Sequence, residues 1–162
     1  MKRRLVKRVL PAAALVLFVG LRAAAAQTPA VACTAPADMV PAQLYGLWQL
    51  ALWPQDGSEA APASTGALLF ERHPEHPGSV RGHVKRSTPG NDRQAQASGD
   101  VTSGEFNLDE SADGVNMDAV WEGSVTPSGC GQELRGLRRA AEGRSAAEPV
   151  MNFVLKKVPG WR

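Results

Sequence analysis

The three histidines of the chain fall in one short window, which makes this window the first candidate for metal chemistry. His73, Glu75 and His76 belong to a His-Pro-Glu-His-Pro segment, and His83 follows it. Imidazole and carboxylate groups bind zinc, but a zinc site needs three or four of them to converge at a defined spacing. Two prolines kink this segment, and its spacing matches no established zinc pattern. We therefore expect a solvated hairpin loop and no cofactor, with His73, His76 and His83 as weak candidates for metal ligands.

Pairs of carboxylates are the next candidates, because acid-base catalysis uses two groups whose pKa values differ. Asp109 precedes Glu110, and Asp118 lies close to Glu122. Alternation along a predicted strand places Asp118 and Glu122 in solvent, without the perturbed environment that marks catalytic acids. The sequence also lacks a phosphate-binding loop, a dinucleotide-binding glycine pattern and a serine nucleophile elbow. These observations predict a protein that is not an enzyme.

Two tryptophans and two alanines are the candidates for a ligand pocket. Trp48 and Trp121 lie on the inward side of two predicted strands, where they either fill an interior or line a cavity. Another strand presents either Ala95 and Ala97 inward or, if its faces are reversed, Gln94, Gln96 and Ser98, and several inward positions elsewhere are glycine. A barrel that is thinly filled on one side can hold a small apolar ligand. Small eight-stranded barrels often have packed interiors, so both alternatives remain open.

The N-terminal 26 residues have the three zones of a secretory signal peptide. Basic residues lie within positions 2–8, an apolar run covers 9–21, and three alanines at 24–26 precede Gln27. The apolar run is shorter than the roughly 20 residues that span a bilayer. We therefore expect cleavage before Gln27, no stable membrane insertion, and a periplasmic or secreted protein. A retained anchor and a lipid-modified Cys33 are the alternatives.

Cleavage would change the sign of the protein's charge. The whole chain has 18 Lys and Arg against 16 Asp and Glu, a formal net charge of +2. Six of the basic residues belong to the predicted signal peptide, which leaves 12 against 16, a net charge of −4. The basic residues of the mature chain also form no stripe. This balance gives no support to a nucleic-acid partner.

The chain has two cysteines, Cys33 and Cys130. In an exported chain, two cysteines favour one intramolecular disulfide. This bridge would tie a segment before the first strand to a hairpin late in the chain. A free thiol or an intermolecular bridge is the alternative.

The sequence after the signal peptide predicts an N-terminal arm and then a single domain of antiparallel strands. Residues 27–43 are rich in Ala, Pro and Thr, and their prolines interrupt regular structure. Beyond them, runs of alternating apolar and polar residues are separated by clusters of Gly, Pro, Asn and Asp. The eight runs are 44–53, 66–72, 79–85, 93–98, 104–109, 115–125, 131–138 and 149–157.

Short connections favour pairing of these strands in chain order, and eight strands can close into a barrel. We therefore predict an all-β fold, an eight-stranded antiparallel up-and-down barrel after a cleaved signal peptide. Its parts are the signal peptide (1–26), the arm (27–43) and the barrel domain (44–162).

The first and last strands meet in a closed barrel, and both have apolar outward faces. Closure would bring together an outer apolar patch made of Tyr45, Leu47, Trp53, Val150, Val154 and Val158. Exposed apolar patches usually mark a contact site. Two alternatives remain open: the arm covers the patch, or the patch is an interface with a protein partner or a second subunit of a homo-oligomer.

The segment Gly46-Leu47-Trp48, the eight consecutive strands and the segment Trp121-Glu122-Gly123 resemble the lipocalin and avidin type of small ligand-binding barrel. Lipocalins have a Gly-x-Trp near their start, and Gly46 and Trp48 match it. The resemblance implies a carrier of a small apolar ligand. Avidins follow their first tryptophan with an asparagine and a Gly-Ser turn, whereas this chain has Gln49-Leu50-Ala51, so biotin binding is not implied.

Residues 41–50 are also similar to the start of the first strand in the periplasmic inhibitors of bacterial metalloproteases. Those inhibitors are small eight-stranded barrels with one disulfide, and they insert an N-terminal arm into the protease cleft. Their disulfide lies within the barrel, whereas Cys33 lies in the arm. We expect an exported, non-catalytic binding module of the lipocalin-like carrier type, with a protein-interaction module such as a periplasmic protease inhibitor as the alternative.

Overall fold

The stretches of alternating apolar and polar residues form eight β-strands in the computed structural model, which describes residues 33–88, 90–144 and 148–161. The predicted signal peptide and residues 27–32 of the arm lie outside the described residues. The strands are β1 (Gly46–Pro54), β2 (Ser64–Arg72), β3 (Val80–Thr88), β4 (Asn91–Thr102), β5 (Glu105–Ser111), β6 (Ala119–Val125), β7 (Glu133–Ala140) and β8 (Met151–Lys157).

Among the residues that the structure describes, three short helical elements accompany the strands. A 3-10 turn (Pro36–Asp38) and a one-turn helix, α1 (Pro41–Leu44), precede β1, and a second 3-10 turn (Pro127–Gly129) separates β6 from β7. Each of the three elements begins with a proline. Proline has no backbone N–H, and the first position of a helix needs no N–H partner. Within the described ranges, no helix has the length and hydropathy that a bilayer crossing demands.

Each strand pairs antiparallel with the next one in chain order, and β8 returns to pair with β1. The closing pair places Leu50 opposite Leu155 and Leu52 opposite Phe153, so that the inward faces of the two strands join. Closure gives hydrogen-bond partners to the two strands that an open sheet would leave at its edges. The predicted all-β, eight-stranded antiparallel up-and-down barrel is confirmed.

β6 is shorter than its sequence pattern predicts. Val115 and Met117 were expected in this strand, but they lie in the preceding loop and are 85% and 45% exposed. Asp113 Oδ1 accepts backbone hydrogen bonds from Val115 and Asn116, and an aspartate that bonds the following backbone favours a turn over a strand. The side-chain bond from Asn116, together with these backbone bonds, holds the pKa of Asp113 well below its usual range.

An aromatic cluster fills the interior of the barrel. Phe70, Phe106 and Phe153 lie between the indoles of Trp48 and Trp121, and all five side chains are fully buried. Neighbouring ring centroids are between 5.2 Å (Trp121 and Phe153) and 6.4 Å (Trp48 and Phe70) apart. The rings meet edge-on or tilted, which is the favourable arrangement at these distances.

Small residues on neighbouring strands make room for these rings. A Cβ atom on Gly82 would lie 3.1 Å from Phe70 Cδ1, and one on Gly123 would lie 2.8 Å from Phe153 Cζ. The sequence left open whether the small inward residues leave a hollow, and at these two positions phenylalanine rings occupy the space.

The arm closes one end of the barrel. Cys33 and Cys130 form the predicted disulfide, and their Cα atoms are 4.4 Å apart. Met39 and Leu44 are buried in the core, and Leu44 O accepts a hydrogen bond from Trp48 Nε1 at 2.7 Å. Gly104, in the β4–β5 turn, has a φ of +86°, and a Cβ on it would lie 2.8 Å from Pro36 Cβ. The described part of the arm, residues 33–43, is therefore a packed cover of this end.

Candidate functional site

Five charged side chains meet at the mouth of the barrel, which is the end opposite the arm. Arg86 of β3, Arg93 of β4, Glu110 of β5 and Arg138 of β7 point inward, and Glu148 joins them from the β7–β8 connection. We call these five residues the mouth cluster. Arg86, Glu110 and Arg138 are only 9%, 4% and 3% exposed. Buried charges are rare unless they are paired, so this cluster is the most unusual chemical feature of the interior.

Strand alternation places the four charges that lie on strands on the inner face. Arg86 continues the inward series of Val80, Gly82 and Val84, at the same two-residue spacing. Glu110 extends the inward series of β5, and Arg138 extends that of β7. Each charge lies at the mouth end of its strand, one step beyond the aromatic core.

Glu110 is the acceptor at the centre of the mouth cluster. Its Oε2 accepts hydrogen bonds from Trp121 Nε1 at 2.9 Å and from Arg138 Nε at 2.8 Å. Its Oε1 accepts a third bond from Arg138 Nη2 at 3.2 Å, and Arg86 Nη2 lies 3.5 Å away. The guanidinium of Arg138 also lies over the Trp121 ring, 5.8 Å from its centroid. The carboxylate and the indole thus hold Arg138 in one orientation.

Glu148 bridges two arginines across the mouth. Its Oε2 accepts from Arg138 Nη1 and its Oε1 accepts from Arg93 Nη1, both at 2.8 Å. Burial opposes the ionisation of Glu148, but the bond and charge of Arg138 outweigh burial and lower the pKa of its carboxyl. Burial likewise opposes the charge of Arg138, and Glu110 outweighs it and raises the pKa of Arg138. Both partners are therefore ionised at neutral pH.

Two cavities adjoin this bridge, and both have Arg93, Arg138 and Glu148 in their walls. The larger cavity, of about 450 Å³, is lined mainly by charged and polar side chains, with Ala95 and Ala140 among its apolar residues. The smaller cavity, of about 200 Å³, combines arginines with apolar side chains such as Leu52 and Met151. The mouth therefore offers two recesses beyond the aromatic core, one mainly polar and one with both charged and apolar walls.

The pocket residues predicted from sequence are divided between the core and the mouth. Trp48 and Trp121 are core residues and line neither mouth cavity. Ala97 is buried in the same core, whereas Ala95 packs against the core and lines the larger cavity. Trp121 contributes to the mouth through its N–H group, which orients Glu110.

Sequence reasoning missed the arginines of the mouth cluster, and it considered Glu110 only as a partner of Asp109. Alternation could have indicated these residues, because Arg86, Arg93, Glu110 and Arg138 each occupy an inward position of an alternating strand. The predicted third strand ended at residue 85, one residue before Arg86, whereas β3 continues to Thr88.

The histidines lie outside the mouth. His73 and His76 have ring centroids 4.6 Å apart, and His73 Nδ1 accepts backbone hydrogen bonds from Glu75 and His76 at 3.2 and 3.1 Å. His83 is exposed on β3. Within the part of the chain that the structure describes, no three His, Cys, Asp or Glu side chains are grouped to hold a metal ion.

Asp118 and Glu122, considered above as an acid-base pair, form ion pairs with two different arginines. Glu122 is exposed on β6 and pairs with Arg139 at 2.6 Å. Asp118 was expected on the same strand, but it lies just before β6 and pairs with Arg144 at 2.9 Å. The two carboxylates therefore do not share a site.

The outer apolar patch predicted from sequence is largely covered. Val154 is only 3% exposed, and Tyr45 packs against the core instead of joining the outer face. The other four residues of the patch, Leu47, Trp53, Val150 and Val158, are half-buried.

Part of this cover comes from the β1–β2 connection. Glu59 of that connection accepts hydrogen bonds from Arg135 Nη1 at 2.7 Å and from Lys156 Nζ at 2.9 Å. Arg135 is the direct neighbour of Val154 across β7 and β8. The connection therefore folds back along the outer face beside Val154.

With this geometry established, the chain was compared with known proteins. No protein-family profile matches it, and a search of curated proteins returned no similar sequence.

Proposed function

We propose that this protein is an exported, non-catalytic carrier of a small molecule, of lipocalin-like architecture, and that the ligand occupies the mouth of the barrel. The observation that carries the proposal is the pair of recesses at the mouth, whose walls share the charged side chains of Arg93, Arg138 and Glu148. Ligand sites in small barrels lie at the mouth, where a few placed polar groups give specificity.

The chemistry of the mouth favours a ligand with a polar or charged end over a wholly apolar ligand. Arg93, Arg138 and Glu148 line both cavities, and an apolar molecule there would separate them from solvent without replacing any hydrogen bond. The sequence suggested an apolar ligand because it placed the pocket among Trp48, Trp121 and the alanines. A polar group held at the mouth, with its apolar part against Leu52 and Met151, suits the observed walls better.

The state of the carboxylates supports a binding role over catalysis. A general acid needs a raised pKa, but the pKa of Glu148 is lowered. Glu110 is occupied by Trp121 and Arg138. Export is supported by the disulfide between Cys33 and Cys130, because such bonds persist in oxidising compartments.

The protein-interaction alternative, including protease inhibition by the arm, stays a prediction. The described part of the arm is tied down by Cys33 and by the burial of Met39 and Leu44. An inhibitor that inserts this segment would first have to lift it from the barrel. The carrier proposal requires no such rearrangement.

Native mass spectrometry of the protein purified from its own envelope fraction tests the carrier proposal. We expect a mature chain that begins at Gln27 and carries a bound small molecule. Ala63→Leu, which narrows the smaller cavity that Ala63 lines, should remove that molecule. Ala67→Leu is the matched control, because Ala67 lies on the outer face of β2 opposite Gln49. Equal occupancy in both variants, or a protein that never carries a ligand, would contradict the proposal.

A further inference from the structure

Arg86 has fewer hydrogen-bond partners than Arg138, the other arginine buried at the mouth. Arg138 uses Nε and both terminal nitrogens in hydrogen bonds to Glu110 and Glu148. Arg86 approaches Glu110 only at 3.5 Å, and its buried Nε has no hydrogen-bond partner among the described residues. An unpartnered buried donor carries a desolvation penalty, and Arg86 lines the smaller mouth cavity, so an acceptor bound there would offset part of this penalty.

The charged groups of the mouth cluster also carry an excess of positive charge. The mouth cluster contains three guanidinium groups and two carboxylates, which leaves a formal charge of +1. Glu110 is bonded mainly to Arg138, and Glu148 is divided between Arg138 and Arg93. The register places Arg86 directly opposite Arg93 on the inner face, where two like charges destabilise the pair. An anion beside Arg86 would balance the charge and reduce this repulsion.

The smaller cavity has the size and lining for such an anion. It is lined by Arg86 together with the polar Thr88 and Asn91, and on the other side by Leu52 and Met151. Its volume of about 200 Å³ is that of six or seven waters at about 30 Å³ each, which suits a short-chain carboxylate. The planar fork of a guanidinium matches a carboxylate in two parallel hydrogen bonds.

We infer that Arg86 binds the carboxylate of a small monocarboxylic acid in the smaller mouth cavity, with the aliphatic part of the acid against Leu52 and Met151. This inference rests on the proposed carrier function and names its ligand class. In the bound state the ligand carboxylate accepts from the guanidinium of Arg86, and Glu110 and Glu148 keep their present arginine partners.

Titration calorimetry of the mature protein with butyrate tests the inference. Butyrate should bind the wild-type protein, and butyramide, its neutral counterpart, should bind at least about tenfold more weakly, because it cannot form a charge-assisted hydrogen bond. Arg86→Met should weaken butyrate binding by a similar factor. Arg81→Met is the matched control, because Arg81 lies on the exposed face of the same strand, paired with Glu71. It should leave butyrate affinity within about twofold of wild type.

A second measurement uses the wild-type protein and does not depend on the folding of Arg86→Met. The Arg86 Nε–H resonance, assigned by its loss in Arg86→Lys, should shift on addition of butyrate and stay in place with butyramide. Equal butyrate affinity in the wild-type and Arg86→Met proteins, or an Nε–H resonance that does not respond, would overturn the inference. Binding of inorganic phosphate without binding of butyrate would overturn the carboxylate assignment.

The two proposals fail in different ways. If butyrate does not bind but Ala63→Leu still removes a native ligand, the role of Arg86 is wrong and the carrier function stands. If neither butyrate nor a native ligand binds the wild-type protein, both are wrong.

Discussion

At the scale of single residues, Glu110 is the side chain on which the mouth cluster depends. It is 4% exposed, and it accepts hydrogen bonds from Trp121 and Arg138. A buried ion pair contributes little compared with a well-packed apolar pair, but removal of one partner leaves the other charge buried and unpaired. Glu110 therefore stabilises the protein mainly because its negative charge offsets the desolvation cost of burying Arg138 and Arg86.

Glu110→Gln tests this role, because it keeps the shape of the side chain and removes its charge. We expect a loss of about 3 to 5 kcal/mol in the free energy of unfolding, the range for breaking a buried pair, measured by urea denaturation. Glu122→Gln is the control, since Glu122 forms an exposed pair with Arg139, and exposed pairs contribute about 1 kcal/mol or less. If the two variants lose equal stability, the mouth cluster is solvated and the role given to Glu110 is wrong.

At the scale of elements, the β1–β2 connection is held on the outer face by its own small ion network. Glu59 pairs with Arg135 and Lys156, and Arg135 also pairs with Glu133. The hydrogen bond from Arg135, followed by that from Lys156, lowers the pKa of Glu59 from 4.5 to about 2. These interactions hold the connection on the outer face beside Val154, and they are strongest when Glu59 is ionised.

The lowered pKa of Glu59 predicts a pH-dependent contribution to stability. Because the folded-state pKa lies below the unfolded-state value, the contribution is fully present above about pH 4.5 and is lost as the pH falls to about 2. Glu59→Gln should be less stable than wild type near pH 6 by about 1 kcal/mol or less, since the pairs are partly exposed. The difference should vanish near pH 2. Parallel urea denaturation curves of both proteins between pH 2 and 7 measure it, and a constant difference across this range would contradict the prediction.

At the scale of the whole molecule, the two ends of the barrel differ. The arm, α1 and the disulfide cover one end, and the charged mouth with its two cavities lies at the other. The disulfide joins residues 97 positions apart, so it encloses most of the barrel in one covalent loop. Cross-links that close long loops restrict the unfolded chain strongly.

A double Cys33→Ser, Cys130→Ser variant separates the contribution of the arm from that of the barrel. The loop-closure relation gives an upper limit of about 4 to 5 kcal/mol for the loss of stability. We expect the barrel to stay folded by far-UV circular dichroism, while hydrogen exchange increases in residues 33–44. Unchanged protection of this segment would show that the burial of Met39 and Leu44 holds the arm without the bridge.

The sequence by itself determined the strands, their order and the disulfide. Alternation with a period of two shows which side chains of a strand share a face, and short polar connections leave few ways to pair the strands. These signals are local, which is why all eight strands are present with end positions shifted by a few residues. β6 starts four residues later than predicted, because the hydrogen bonds of Asp113 compete with its first four predicted residues.

Only the tertiary structure decided which inward side chains lie at the same level of the barrel. Arg86, Glu110 and Arg138 are 24 and 28 residues apart, and they meet because the registers of the intervening strands bring their ends to one level. Alternation shows which face of the sheet each side chain lies on, but it does not show how far along the barrel axis the side chain lies. For the same reason, the glycines that suggested a hollow interior could not reveal that Phe70 and Phe153 fill the space beside them. The candidate site therefore depends on strand register, a property of the closed sheet that no single strand contains.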